Sequence, residues 1–197
     1  MSYASLSDLK SAIRITDTNS DSLLQVALDA AKTAIDEHCN RTFTASTIAT
    51  QRWYEPNGGI VSTDDFYTTD GLVIAVGGSN VPLAVYNVSA GYTLTPPNAI
   101  ALGEPYTGFY YSSSPLAAWP LLHTAQRSRA QVTAKWGYAA TVPAAVRMAC
   151  LLQASRWFAR RNSPYGIAGS PELGSELRLL AKLDADVAVM LAGKVRY

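Results

Sequence analysis

Hydrophobic positions recur at helical spacing at both ends of the chain and at strand spacing in between. Near the start, Ser5 or Ser7 can cap a short helix running through Ile13, with Asp8 in the first turn, where the helix dipole favours an acid. "RITDTNSDS" reads as a turn, and Ser20 or Asp21 caps a second helix running to about Cys39. Its Leu24, Leu28, Ala31, Ile35 and His38 form an apolar stripe with Ala27 and Ala34 beside it. Gln25, Asp29, Lys32 and Asp36 occupy the opposite face, with Lys32 spaced to pair with either acid.

From Phe43 to about Tyr138 the pattern turns to β. "TIATQRWYEP", "GLVIAVGG", "VPLAVYNV", "YTLTPP" and "RAQVTAKWGY" are the predicted strands, with turns at "EPNGG", "GGSN" and "PPN". In "RAQVTAKW", Ala130, Val132, Ala134 and Trp136 alternate with Arg129, Gln131, Thr133 and Lys135, the signature of a half-buried antiparallel strand. Residues 104–128 lack periodicity and read as a long irregular loop. Helical pattern returns at Pro143, a residue suited to a first turn, and continues to about Arg161, before Pro164. "SPYGIAGSP" reads as a loop. Ser170 and Pro171 then open a last helix with Leu173, Leu177, Leu180, Leu183, Val187, Met190 and Leu191 on one stripe, and Glu172 and Glu176 near its start.

The predicted architecture is α+β: a small helical bundle formed by residues 1–42 and 139–197, with a β-rich insertion, 43–138, between its second and third long helical segments. Gly137 would let the backbone turn out of the sheet, and Trp136 and Tyr138 would fill the joint between the two layers.

Composition narrows what such a fold can do. Of the 197 residues 48% are apolar and 16% charged, and the net charge of +1 divides as −2 over residues 1–42, −1 over 43–142 and +4 over 143–197. That polarity is too weak for a nucleic-acid reader and suits subunits that meet head to tail. Cys39 and Cys150, each inside a predicted helix, read as core residues of a protein folded in a reducing compartment. "MSYASLSDLK" has neither the basic nor the apolar region of a signal peptide, and no apolar run approaches a membrane span; a soluble protein made in a cytoplasm is expected.

Reactive constellations are not legible. GxSxG, P-loop, HExxH and GxGxxG motifs are absent, and His38, on the apolar stripe of its helix, and His123, in an irregular segment, read as packed or exposed histidines rather than catalytic ones. Asp64, Asp65 and Asp70 in "STDDFYTTDG" suggest calcium but lack the alternating ligands and distal Glu of a calcium loop, so a solvated turn is expected. No enzyme activity, metal or cofactor is predicted. "YTGFYYSSS" sets Tyr106, Phe109, Tyr110 and Tyr111 among serines, either as a contact surface or as rings packed back on the β layer. Gln153, Arg156 and Arg160 share a polar stripe of the third long segment, with Arg160 and Arg161 also suited to its C-terminal dipole. Arg147 instead lines up with Leu151, Ala154 and Phe158 and needs an acid, from Asp29, Asp36 or Glu37 or from a neighbouring subunit.

Two stretches resemble the head–tail connector (adaptor) proteins of tailed bacteriophages and phage-like gene transfer agents. One is "LSDLKSAIRITDTNSDSLLQVALDAAKTAIDEHCNRTF", with its short helix, acidic turn, Ala-rich helix and aromatic after "NRT". The other is "VTAKWGYAATVPAAVRMACLLQASRWFARRNSPYG", a strand, a Gly corner, "VP", an Ala-rich helix and an "RR-x-SP-x-G" exit. The resemblance implies a structural virion protein at the head–tail junction, assembled in the host cytoplasm as a closed ring, usually dodecameric, coaxial with the portal. Such a ring extends the DNA channel, lets double-stranded DNA pass without gripping it, and provides the platform for stopper, tail-terminator or tail proteins. Portal contact would fall to Leu191, Lys194, Val195, Arg196 and Tyr197. Subunit contacts would fall to Arg147, Arg156, Arg160, Asp29 and Asp36, and neck or tail contact to Tyr106, Phe109, Tyr110 and Tyr111. The alternative reading is a tail-associated or glycan-binding β-rich module on a helical scaffold.

Overall fold

The cap at Ser5 forms in the computed structural model of the chain, which describes residues 2–57, 60–78, 81–86, 92–111, 129–161, 167–168, 177–178 and 183–196. Helix α1 (Leu6–Ile13) opens on a capping box. The Asp8 N–H donates to Ser5 Oγ at 3.1 Å, and the Ser5 N–H donates back to the Asp8 carboxylate at 3.2 Å. Helix α2 (Asp21–Cys39) ends at Asn40, which takes the left-handed conformation that asparagine tolerates. Its buried stripe is Leu24, Ala27, Leu28, Ala31, Ile35 and Cys39. His38, expected on that stripe, is exposed, because Cys39 completes the period instead.

Helix α3 (Ala144–Arg160) begins directly after Pro143, and α4 (Ala185–Leu191) begins after Asp184, whose carboxylate caps the Asp186 N–H at 3.0 Å. Residues 1–43 and 142–197 cluster as one unit and residues 44–141 as another. In the helical unit α3 packs between α2 and α4, and α1 touches both α2 and α3. Leu9, Leu24, Leu28, Ile35, Val146, Cys150, Val187 and Leu191 are fully buried there. Each large aliphatic side chain among them contributes about 1.5–3 kcal/mol of burial.

The last helix is shorter than its leucine stripe suggests. Leu177–Arg178 (β9) pairs antiparallel with Ile167–Ala168 (β8), within the stretches expected as helix and loop, and Leu183 precedes α4. Leu173, Leu180, Glu172 and Glu176 lie outside the described residues. The helix starts late because Asp184 supplies a cap of its own, its carboxylate taking the Asp186 N–H. Among the described residues, no helix is long and apolar enough to cross a membrane.

The second unit is antiparallel throughout. Strands β1 (Thr50–Tyr54), β3 (Val73–Gly78), β4 (Val81–Tyr86) and β7 (Arg129–Ala134) form one sheet in the order β1-β7-β3-β4. Strands β2 (Ile60–Phe66), β5 (Tyr92–Thr95) and β6 (Tyr106–Tyr111) form another in the order β2-β6-β5. In β7, Ala130, Val132 and Ala134 are buried in alternation with Arg129, Gln131 and Thr133, as the pattern predicted. The irregular loop expected at 104–128 is corrected at its start: β6 is the central strand of the second sheet, and residues 112–128 lie outside the described residues. The acidic turn is corrected as well, since Asp64 and Asp65 belong to β2. A bridge between Phe66 and Trp136 links the two sheets. Val61, Phe66, Ile74, Tyr92, Phe109, Ala130, Val132 and Ala134 from both sheets make one core with Trp136.

Candidate functional site: charged groups and chain ends

Most of the charges read as contact candidates are engaged within the chain. Arg147 is half-exposed, and its guanidinium meets Asp8 on α1 at 2.8 Å. Neither Asp29, Asp36 nor Glu37 is this partner, because Arg147 points toward α1 rather than α2. Hydrogen bonds from Ser5, then the Arg147 guanidinium, hold the Asp8 carboxyl down at about 2.

Asp36 is held by Lys32 at 2.6 Å and by the hydroxyl of Tyr3, whose ring is buried. The same hydroxyl accepts the Phe43 N–H at 2.8 Å, and the Tyr3 and Phe43 rings meet edge to face. Burial, then the hydrogen bond to Asp36, pushes the phenol far above its ordinary range, so it stays a donor. This node fixes the exit of α2 and was not legible in the sequence, which separates Tyr3 from its partners by more than thirty residues. Asp29 accepts from Gln25 at 3.1 Å along the same helix.

At the other side of α3, Arg156 pairs with Asp184 and, at 3.0 Å, with Asp186. Gln153, expected on a wet stripe, is buried and accepts the Asp184 N–H at 3.1 Å. These bonds fasten the start of α4 to α3. Arg160 lies in the last turn of α3, and the Arg161 guanidinium stacks 3.6 Å above the Phe158 ring.

Of the residues expected at the portal, Leu191 is fully buried in the helical core and anchors the segment that follows. A single 3-10 turn, Ala192–Lys194, leads to half-buried Val195, and the Arg196 N–H donates to the Cys39 carbonyl at 2.9 Å. That bond satisfies one of the open carbonyls at the end of α2. Tyr197 lies outside the described residues.

In the β unit, Phe109 is fully buried and is a core residue rather than a contact residue. Tyr106 is half-buried against Phe66 at 5.3 Å, whereas Tyr110 faces outward with 39% of its surface exposed. Tyr111 pairs through its backbone with Tyr92. Alternation in β6 separates the two roles, which a loop reading could not do. Asp64 accepts from Arg52 at 2.5 Å and from the Tyr54 hydroxyl at 2.8 Å, and Asp70 pairs with Lys135. Among the described residues no three His, Cys, Asp or Glu groups assemble to hold a metal ion. His123 lies outside the described residues.

Trp136 and Gly137 sit where three backbone segments converge. The Trp136 carbonyl accepts the Ser46 N–H at 2.7 Å, the Gly137 N–H donates to the Asp65 carbonyl at 2.8 Å, and the indole N–H donates to the Thr50 carbonyl at 2.7 Å. Tyr138, also buried, donates to Glu104 at 2.5 Å. The "WGY" signature therefore closes the β unit on itself.

The class defined by these features is an α+β protein whose helical unit is built from both ends of the chain and carries an antiparallel two-sheet insertion. Residues 3–76, from before α1 into β3, match the family profile of the phage gp6-like head-tail connector protein. The connector resemblance read from the sequence thus holds over its N-terminal stretch. The fold is similar to that of a chain in the neck of an empty GTA particle computed with C6 symmetry, at TM-score 0.54 and 14% identity, covering 98% of this chain and 89% of that one. It is also similar to a chain in the virion of a native gene transfer agent (GTA) particle, at TM-score 0.50 and 18% identity, covering 91% and 92%. No curated protein matches the chain.

Proposed function

We propose that the chain is the structural subunit of a head–tail connector ring, seated under the portal of a tailed phage or phage-like particle. The observation that carries this reading is the connector-family match over residues 3–76, joined to a fold likeness with a GTA neck chain over 98% of the sequence. Copies of the chain assemble in the host cytoplasm into a closed ring, dodecameric in the reading drawn from the family. The ring continues the DNA channel and gives stopper or tail proteins a platform. A net charge of +1 suits a wall past which double-stranded DNA slides.

Portal docking falls to the C-terminal segment. Leu191 roots it in the helical core, Lys194 closes the single turn outside α4, and Val195 and Arg196 follow. Exposed Tyr110 is the neck-side contact retained from the aromatic cluster. Deleting residues 193–197 tests the docking assignment by co-sedimentation with portal protein. The truncated chain is expected to keep its circular dichroism and lose portal binding. Retained binding by the folded, truncated chain would refute the assignment.

A further inference from the structure

Strands β5 and β6 form a hairpin whose ladder closes at Thr95–Gly108, and the turn that joins them is apolar and exposed. From residue 97 to 103 Ala99 alone is buried. Ile100 is 54% exposed and Leu102 71%, both on the single 3-10 turn Ile100–Leu102. One exposed aliphatic side chain is ordinary, whereas two on the same turn make a patch. The turn is also braced. The Leu102 N–H donates to the Asn98 and Ala99 carbonyls, each at 3.1 Å, and the Glu104 N–H donates to the Ala99 carbonyl at 2.9 Å. Fully buried Ala99 roots it, and the hydroxyl of buried Tyr138 holds the Glu104 carboxylate at 2.5 Å. Ile100 and Leu102 are thus presented in a fixed conformation, which lowers the entropy cost of a contact.

Charge decides what such a knob can meet. Between Asp70 and Arg127 the one charged residue is Glu104. A nucleic-acid backbone or an anionic lipid surface is held by Lys and Arg, and this hairpin has neither. The cavity lined by Leu6, Lys10, Arg14, Ile15 and Asp21 in a second copy does not suit the tip either. An apolar tip seated there would strip water from Arg14 and from the Lys10–Asp21 pair and offer them no new bond. The receptor that fits is an uncharged, apolar pocket on a different protein. On the same hairpin Tyr110 faces outward opposite Ile60, itself 50% exposed, so the uncharged surface is not confined to the tip.

We propose that the β5–β6 turn is a plug, with Ile100 and Leu102 seated in an apolar pocket of the stopper protein that docks beneath the ring. The proposal rests on the ring reading, which puts the neck-side contact on this hairpin at Tyr110, and it names the residues that anchor that contact. Rigid apolar anchors in a fitted pocket are where an interface concentrates its binding energy. Ile100 and Leu102 are those anchors, and Tyr110 and Ile60 lie beside them on the same sheet.

The test titrates purified stopper protein of the same particle onto the full chain, alone and assembled on portal. Ile100→Asp and Leu102→Asp change exposed side chains, so circular dichroism and the thermal melt should match wild type. Each is expected to weaken stopper binding at least ~10-fold, with assembly on portal unchanged. Ile48→Asp, at a position also 71% exposed but off the hairpin, is the control and should bind as wild type does. Stopper binding that both hairpin variants leave intact, or that Ile48→Asp weakens as much, overturns the inference and leaves the ring reading standing. So does a wild-type chain that assembles on portal and ignores stopper. A Leu102→Asp chain that no longer assembles on portal would seat the tip in a second copy, which also overturns the inference. Phosphatidylserine vesicles are the last probe: wild-type binding that Leu102→Asp abolishes would assign the tip to a membrane and overturn it. A chain that binds neither portal nor stopper overturns this inference and the ring reading together.

Discussion

Replacing Gly137 with alanine should be among the most damaging single-methyl changes in the β unit. Gly137 has φ +125°, and a Cβ there would lie 2.3 Å from the Thr44 carbonyl oxygen and 2.8 Å from the Ala45 Cα. Both obstacles are backbone, held by the Ser46–Trp136 and Gly137–Asp65 hydrogen bonds, so neither can swing aside as a side-chain tip would. The unfavourable φ contributes about 1–3 kcal/mol, and forcing the backbone apart adds another ~1–3 kcal/mol. A loss of roughly 2–6 kcal/mol follows when the two act together. Urea unfolding followed by tryptophan emission measures it, in a Trp157→Phe background that removes the tryptophan on α3. Gly103→Ala is the control: its φ is +66°, but no atom lies within 4 Å of the added methyl, so only the left-handed term of about 1–2 kcal/mol remains. Equal losses for the two variants, or a Gly137→Ala loss below about 1 kcal/mol, would refute the convergence argument.

Three further outcomes follow. Tyr3→Phe removes the buried partner of the Phe43 N–H and should destabilise the helical unit by about 1–3 kcal/mol in chemical denaturation, with the circular dichroism of the folded state unchanged. Asp8, held near 2, should contribute stability that is present above its ordinary value of 3.8 and is lost as pH falls through 2. Carboxyl titration by NMR should show its midpoint rising in Ser5→Ala by more than in Arg147→Met, and the reverse order would contradict the assigned causes. Cys39 and Cys150 are both fully buried, and burial pushes the Cys39 thiol up to about 11. Neither should react with a disulfide reagent at pH 8 until urea is added; rapid labelling of the folded chain would show that the helical core opens readily.

The helical pair at the N-terminus and β7 were legible because their burial is one-sided, and periodicity reports one-sided burial directly. Strand β2 was hidden by its composition: "IVSTDDF" contains two acids, and Asp65 is buried in it beside Phe66. Acids are rare in strands because the pleated surface offers them few partners, so sequence favoured a turn. Its partner β6 was hidden by Gly108, whose missing side chain admits the Val61 carbonyl of the adjacent strand. The two unread strands pair with each other, so missing one removed the evidence for the other. The charge partners were illegible for a related reason. Arg147–Asp8 and Tyr3–Asp36–Phe43 join positions far apart in sequence, and helical spacing constrains only neighbours three or four residues away. The shortened α4 marks a limit of a different kind: a leucine stripe does not report where a new cap, here Asp184, restarts the helix, nor that Leu177 pairs in a strand instead.

The central claim, that this chain is a connector subunit, is tested most directly by native mass spectrometry with and without the portal protein of the same particle. A closed oligomer that forms on portal, at one fixed stoichiometry and with the C-terminal segment intact, is the predicted result. A chain that stays monomeric beside assembled portal, and binds oligosaccharide instead, would contradict it.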